Sequence, residues 1–124
     1  EHHVLRRPYS QWPDSVLRAF EHLNPMVYIP MQGPSELGAR GKLAQWDRRA
    51  DLSRIEVPTL TIGAAHDTMD PEQMAAMAKA LPRGSHLHCP NGSHMAMVDD
   101  QVVYIQGLID FLRRVDAQTI REDP

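Results

Sequence analysis

Two residues of this sequence have types and positions suited to proton transfer. Asp67 stands in the segment IGAAHDTMDP and His94 in CPNGSHMAM, and each follows a short run of strand-like composition. If the two runs are neighbouring parallel strands, both loops leave the sheet at the same edge. A carboxylate beside an imidazole fixes the ring tautomer and stabilises the imidazolium. The pair therefore suits the orienting acid and general base of a nucleophilic triad.

The same positions also have plain structural interpretations, which the residues leave open. An aspartate after a strand is often a turn or cap former, and a single loop histidine is often merely exposed. His86 and His88 share one face of the second strand and, with His94, could offer three nitrogens to zinc. No supporting cluster of carboxylates accompanies them, so we expect no metal. Cys89 ends the second strand and is predicted to be a packed thiol.

A nucleophile for this pair is missing from the sequence. A nucleophile elbow needs the pattern G-x-S-x-G between a strand and a helix. None of the serines has glycines at that spacing; they are Ser10, Ser15, Ser35, Ser53, Ser85 and Ser93. Ser93 is next to His94 in the sequence, too close for the backbone to aim one side chain at the other. The nucleophile is therefore expected outside this chain.

The residues around the pair predict alternating strands and helices. VPTLTIGAA (57–65) and SHLHC (85–89) are typical of strands. Between them, Asp70 and Pro71 signal the start of a helix, which an apolar stripe continues for about three turns. A second stripe predicts a final helix; its members are Val102, Ile105, Leu108, Ile109 and Leu112.

This order of elements is that of an α/β fold. A crossover helix implies parallel strands with a right-handed connection. Parallel sheets are buried on both faces, which two strands and two helices cannot achieve alone. We therefore expect the last βαβα part of a larger doubly wound sheet. Residues 1–55 are instead rich in proline and glycine, with one helix expected over about 14–23, a stop at Asn24 and Pro25, and helical turns within 45–55.

The composition of the 124 residues is that of an ordinary globular protein. A net charge of -3 and scattered basic residues exclude a nucleic-acid-binding patch. No apolar run approaches the roughly 18 residues of a membrane span. A single cysteine suits a reducing compartment, so a cytoplasmic protein is expected. The sequence begins at Glu1 rather than at methionine, and we expect it to be a piece of a longer chain.

Several phrases of the sequence resemble one enzyme family. They are MQGPSE (31–36), WDRRADL (46–52), the G-x-x-x-D element that ends at Asp67 and the G-S-H element that ends at His94. Together they resemble the carboxyl-terminal portion of proline iminopeptidases, which are serine peptidases with the α/β-hydrolase fold, and of the related L-amino-acid amidases. The resemblance extends over nearly the whole chain. The order of acid before histidine also agrees with the α/β-hydrolase order.

The resemblance implies roles for individual residues. Asp67 falls on the acid of the catalytic triad and His94 on its histidine. Glu36 falls on an acidic cap residue that holds the free amino terminus of the substrate, and Tyr28 falls on a tyrosine that assists it. Thr68 stands where many members have a second amine-binding glutamate, which argues for a broader aminopeptidase or amidase specificity than amino-terminal proline alone.

The resemblance also implies how the chain is divided and what it binds. Residues 1–43 correspond to the end of a helical cap, and residues 44–124 to the end of the hydrolase domain. No metal or organic cofactor is required. The expected partners are a peptide or amino-acid amide with a free amino terminus and the upstream part of the same hydrolase. Because that part holds the nucleophile and the oxyanion hole, the chain alone is expected to be inactive.

Two other functions remain open at this point. Asp67 and His94 would equally serve an esterase, an epoxide hydrolase or another α/β-hydrolase with a different pocket. Alternatively, a non-catalytic chain could act by pairing an exposed sheet edge with a partner chain. Hydrolysis of free-amine and amino-blocked substrates separates the first alternative from a peptidase, and a lack of all hydrolysis marks the second.

Overall fold

The two strands pair in parallel, as the sequence predicts. The computed structural model describes residues 3–35 and 38–122, with side chains up to residue 117. Strand β1 (Thr59–Ala64) pairs with strand β2 (Gly84–Cys89), and the register places the first residue of β1 opposite the first residue of β2. Parallel strands need a crossover connection, which the intervening chain supplies.

The crossover contains helix α3 (Pro71–Ala80), whose start follows the predicted capping signal. The Asp70 carboxylate accepts a hydrogen bond from the Glu72 backbone N–H at 2.8 Å, which satisfies one of the free donors of the first turn. Across the interface, the Thr61 hydroxyl donates to the Met74 carbonyl oxygen at 2.8 Å. The cap and this contact fix α3 against one face of the sheet.

The opposite face carries helix α5 (Gln101–Glu122), which follows the short helix α4 (Ala96–Asp99). A hydrophobic core joins these helices to the strands; it consists of Ala64, Cys89 and Ala96, with Ile62, Leu87, Val103 and Tyr104 packed against them. Gly107 permits the close approach of α5, because a Cβ atom at that position would lie 2.6 Å from the Leu87 side chain.

The predicted final helix is present, but most of its apolar stripe lies on the outer side. Val102 is 81% exposed. The other exposed members of the stripe are Ile105, Ile109 and Leu112. Val103 and Gly107 face the sheet instead, so the contact with the strands sets the rotation of the helix. None of the helices in the described part of the chain is both long and apolar enough to cross a bilayer.

Before β1 the chain forms short helices joined by turns. Helix α1 (Asp14–Glu21) matches the predicted helix, whereas helix α2 (Pro25–Met31) lies where the sequence pattern predicts only a stop. The Asn24 side chain accepts from the Met26 backbone N–H at 3.0 Å, and proline occupies the first turn of α2. The Asn-Pro step therefore ends one helix and begins the next. Among the described residues of this part, three 3-10 helices are also present: Tyr9–Gln11, Lys42–Gln45 and Arg49–Arg54.

An aromatic cluster organises the beginning of this part. The Trp12 ring lies between the rings of Tyr9 and Phe20, at centroid distances of 5.2 and 5.4 Å. Leu5 and Val16 are buried nearby in the sequence. The division of the chain near residue 43 into cap and hydrolase parts stays a prediction.

Candidate active site

The carboxyl-terminal edge of the sheet carries the two candidate proton-transfer residues. Asp67 follows β1, and His94 follows β2. Because the strands are parallel, both loops leave the sheet at this edge. The side chains meet there, with His94 Nδ1 3.0 Å from Asp67 Oδ1. The structure thus brings together two residues that are 27 positions apart in the chain.

Asp67 is held in place by its own loop. Its Oδ1 atom accepts hydrogen bonds from the Met69 backbone N–H and from the Thr68 hydroxyl, each at 3.2 Å. The Asp67 side chain is 12% exposed, whereas that of His94 is 39% exposed. The carboxylate therefore anchors Nδ1 of the imidazole. The second ring nitrogen, Nε2, is then the one suited to exchange a proton with a substrate or nucleophile.

His94 opens onto a cleft of about 610 Å³. Thr68 and Met69, from the loop after β1, line it beside the imidazole. The remaining wall comes from α2 and the chain that follows it; it includes Val27, Tyr28, Met31, Gln32 and Leu43. Much of this wall is apolar, so the cleft can hold an apolar group next to the candidate base.

The structure describes only some of the residues that the resemblance links to amine binding. Tyr28, on α2, is half-buried and lines the cleft together with His94. Glu36 lies outside the described residues, so its part in the site stays a prediction. Thr68 lines the same cleft, and its hydroxyl donates to Asp67. The position without the second glutamate is therefore in contact with the candidate pair.

His86, on the second strand, makes its hydrogen bond away from the candidate pair. His86 Nδ1 lies 3.1 Å from the Thr61 hydroxyl, which also bonds to α3. His94 Nδ1 instead faces Asp67. Within residues 3–35 and 38–117, no three or more His, Cys, Asp or Glu side chains are placed to hold a metal ion.

Two hydroxyl or thiol groups near the site are buried. Burial raises the pKa of the Cys89 thiol, and the nearby Asp100 carboxylate raises it further, so the reactive thiolate is disfavoured. Ser93 is also fully buried, and its hydroxyl contacts the Val4 carbonyl oxygen at 2.9 Å and the Asp99 carboxylate. Cys89 therefore belongs to the core of the sheet and Ser93 to the packing of the loop, and neither is placed for attack on a substrate.

Sequence reasoning missed the contacts of two adjacent aspartates. Asp99 and Asp100 precede α5, where acidic residues favour the helix dipole. In the structure, Asp99 accepts from the Arg6 backbone N–H and Asp100 accepts from the Asn91 backbone N–H, each at 3.0 Å. Arg6 is 93 positions from Asp99, so no local pattern could reveal this contact. The only signal in the sequence is the adjacency of the aspartates to the His94 loop.

Comparison with known proteins finds similarity to proline iminopeptidases. No protein-family model matches the chain. Proline iminopeptidases from Flavobacterium johnsoniae and Elizabethkingia meningoseptica are 48% identical over 111 residues and 47% identical over 119 residues, respectively. These alignments cover 90% and 94% of this chain. The chain spans only 37% and 39% of the length of these relatives, in their carboxyl-terminal part.

Solved structures agree with the sequence comparison. The crystal structure of VinJ matches with a TM-score of 0.83 at 27% identity, over 92% of this chain and 38% of VinJ. The proline iminopeptidase of Mycobacterium smegmatis matches with a TM-score of 0.78 at 25% identity, over 95% of this chain and 40% of that enzyme. The resemblance to proline iminopeptidases and the α/β-hydrolase fold expected from the sequence are confirmed.

Proposed function

We propose that this chain is the carboxyl-terminal segment of a serine hydrolase that acts, like the proline iminopeptidases it resembles, as an aminopeptidase or amidase. The observation that carries the proposal is the 3.0 Å contact between His94 Nδ1 and Asp67 Oδ1 beside a cleft. Similarity to proline iminopeptidases over 90% of the chain supports it. The nucleophilic serine and the oxyanion hole would lie in the upstream part of the same hydrolase. The reaction would require no metal or organic cofactor.

In this proposal His94 acts first as a base and then as an acid. When the upstream serine oxygen attacks the substrate carbonyl, His94 Nε2 takes the hydroxyl proton and then delivers it to the leaving amine. Asp67 accepts the Nδ1–H bond throughout, so the imidazolium forms beside a carboxylate. Water then attacks the acyl-enzyme, again losing a proton to His94, and the amino-terminal residue and the serine hydroxyl are released.

The proposed substrate is a peptide or an amino-acid amide with a free amino terminus. Glu36 would pair with the substrate ammonium, a charge-assisted contact that a blocked terminus cannot make. Tyr28 would assist it, and the position of Tyr28 in the cleft wall supports this role. Thr68 replaces a second carboxylate, so the amine is held by one negative charge fewer. The enzyme would therefore accept a broader range of amino-terminal residues than proline alone.

The role of His94 can be tested in the full-length hydrolase with an aminoacyl-arylamide as substrate. Replacing the base of such a site removes proton transfer, so we expect His94→Ala to lower kcat by at least about 10⁴-fold. The matched control is His88→Ala, because His88 is an exposed histidine on β2. Its kcat should equal that of the wild type. Unimpaired turnover by His94→Ala would exclude His94 as the base.

Amino-blocked substrates separate this proposal from its alternatives. The aminopeptidase or amidase hydrolyses the free-amine arylamide and leaves its acetylated form intact, whereas an esterase-like or epoxide hydrolase-like enzyme has no need of the free amine. If the full-length protein hydrolysed neither substrate, a non-catalytic chain that pairs its sheet edge with a partner would be favoured. A cytoplasmic location, expected from the single cysteine, belongs to the proposal and is checked by cell fractionation.

A further inference from the structure

The backbone of the His94 loop is held by a segment from near the other end of the chain. The His94 backbone N–H donates to the His3 carbonyl oxygen at 2.9 Å. The Met95 backbone N–H donates to the Val4 carbonyl oxygen at 3.0 Å. These bonds fix the main chain that carries the imidazole, independently of the contact that the ring makes with its carboxylate.

The same segment, His3–Arg7, also reaches the loop that carries Asp67. His3 Nδ1 lies 3.1 Å from the His66 carbonyl oxygen, directly before Asp67 in the chain. Leu5, in the middle of the segment, is fully buried. The segment therefore contacts both loops of the candidate site, and its middle residue is packed in the interior.

Asp99 fastens this segment to the His94 loop. Its side chain is only 3% exposed, and its Oδ2 atom accepts from the Arg6 backbone N–H at 3.0 Å. Its Oδ1 atom faces Arg7 Nη2 at 3.4 Å. The Ser93 hydroxyl contacts both Asp99 Oδ2 and the Val4 carbonyl oxygen, and its single proton serves one of these acceptors at a time. A buried carboxylate needs such donors, because a charge removed from water is costly unless it is paired.

We propose that Asp99 is a positioning residue for His94 and that it acts through the segment His3–Arg7. This inference rests on the proposed function, in which His94 transfers protons. Asp67 orients the imidazole ring, whereas Asp99 holds the segment that in turn holds the His94 backbone. Two separate carboxylates therefore set the position of one base. A misplacement of about 1 Å can lower an enzymatic rate by roughly 10²-fold, so loss of the second carboxylate should affect turnover.

The test is Asp99→Asn in the full-length hydrolase, with Asp116→Asn on the exposed side of α5 as the matched control. The asparagine keeps one oxygen for the Arg6 N–H but has no charge to pair with Arg7. We expect kcat to fall by about 10- to 100-fold while KM changes by less than about twofold, because a displaced base slows proton transfer without emptying the cleft. The control should retain both values.

Hydrogen exchange measured by mass spectrometry provides the readout that a general loss of stability would not reproduce. In Asp99→Asn, peptides that cover residues 91–97 should exchange about 10-fold faster, because the bonds to the His94 and Met95 N–H groups open. Peptides that cover β1 and β2 should exchange as in the wild type. An unchanged rate in residues 91–97, or an equal rise across the strands, would overturn the proposal, as would a kcat within twofold of the wild type.

Two milder variants decide the matter if Asp99→Asn does not fold. Ser93→Ala and Arg7→Gln each remove one contact of Asp99 and leave the Arg6 bond in place. Each should lower kcat by about 3- to 10-fold, the effect of losing one hydrogen bond, and unchanged values in both would overturn the proposal. If the full-length wild type hydrolyses no substrate, the proposed function fails. The exchange experiment then still decides whether Asp99 holds the His94 loop.

Discussion

The sheet unit, residues 59–112, and the part before it, residues 3–35 and 38–57, hold their elements by different means. In the sheet unit, a hydrogen-bonded ladder and a shared core fix two strands and the helices on both faces. In the amino-terminal part, α2 depends on the Asn24 cap and α1 on one aromatic cluster, and the described short helices share few contacts with one another. The cleft combines both kinds of structure. Its candidate base lies on the sheet unit, and most of its wall lies on the amino-terminal part.

Among the substitutions that compare the two regions, the largest effect is expected on the side of the cleft that the sheet unit provides. Asp67→Asn keeps the size of the side chain but no longer enforces the imidazole tautomer, so we expect kcat to fall by about 10³- to 10⁴-fold. Tyr28→Phe, on the other wall, removes one hydroxyl and should raise KM by only a few fold. Steady-state kinetics with a free-amine arylamide measures both. Equal losses in kcat would contradict the division of the cleft into two parts.

The next effect concerns the free energy of unfolding. Substitution of one glycine in each region allows the two regions to be compared. A Cβ atom at Gly84 would lie 2.0 Å from the Ala78 backbone carbonyl oxygen, so Gly84→Ala forces α3 away from β2 and should destabilise the fold by about 3 kcal/mol or more. Gly38 has a φ of +90° and open space around its Cβ position, so Gly38→Ala should cost only about 1 kcal/mol of backbone strain. Urea denaturation of the full-length protein measures both changes. Similar costs for the two variants would count against the comparison.

A smaller effect is expected from the helix caps. Asn24 caps α2 and Asp70 caps α3 in the same way, each with a proline at the next position. Replacing either by alanine should cost the helix about 1 kcal/mol. For Asp70→Ala the loss should lower the global free energy of unfolding, because α3 is packed on the sheet. For Asn24→Ala it should appear as roughly fivefold faster hydrogen exchange in residues 26–31, with the global value unchanged. A global loss in both variants would show that α2 unfolds together with the sheet.

The smallest effect is expected from an exposed ion pair within the amino-terminal part, between Asp47 and Arg49. Hydrogen bonds from the Arg49 side chain and backbone lower the pKa of the Asp47 carboxyl from its usual 3.8 to about 2. Because the pKa is lower in the folded chain, the pair contributes to stability above pH 3.8 and loses this contribution as the pH falls towards 2. The pair is largely exposed, with 51% of the Asp47 side chain and 78% of the Arg49 side chain open to solvent, so solvent screens this contribution and Asp47→Asn should lower the thermal midpoint at neutral pH only marginally. An NMR titration of the Asp47 carboxyl checks the direction, and a midpoint at the usual value would show that the pair does not persist in solution.

The elements that sequence reasoning found are those with local causes. The segments that form β1 and β2 are apolar and β-branched or alternating in pattern. The Asp70 cap and the proline that follows it predict the start of α3 from adjacent residues. Once the strands are known to be parallel, the meeting of Asp67 and His94 follows from the rule that their loops leave the same sheet edge. The strand and helix order and the contact between Asp67 and His94 could therefore be predicted from local sequence patterns and this rule.

The features that sequence reasoning missed depend on tertiary contacts or on a residue pair that can either end or begin a helix. Asn24 and Pro25 both end α1 and begin α2, and the pattern alone favoured the first meaning. The rotation of α5 is set by the contact of Gly107 with Leu87, not by the apolar stripe of the helix. The contact of Asp99 with Arg6 joins residues that share no local motif.

The docking of segment His3–Arg7 has a consequence for the order of folding. The strands close a loop of 25 residues between Thr61 and His86, whereas Arg6 and Asp99 close one of 93 residues. Chain-closure entropy makes the longer loop more costly by roughly 1 kcal/mol, and few local contacts offset that cost. The sheet should therefore form before the segment docks, and the base would reach its working geometry late. In refolding experiments on the full-length protein, return of activity should then lag behind return of the far-UV signal, and simultaneous return would argue that both parts form together.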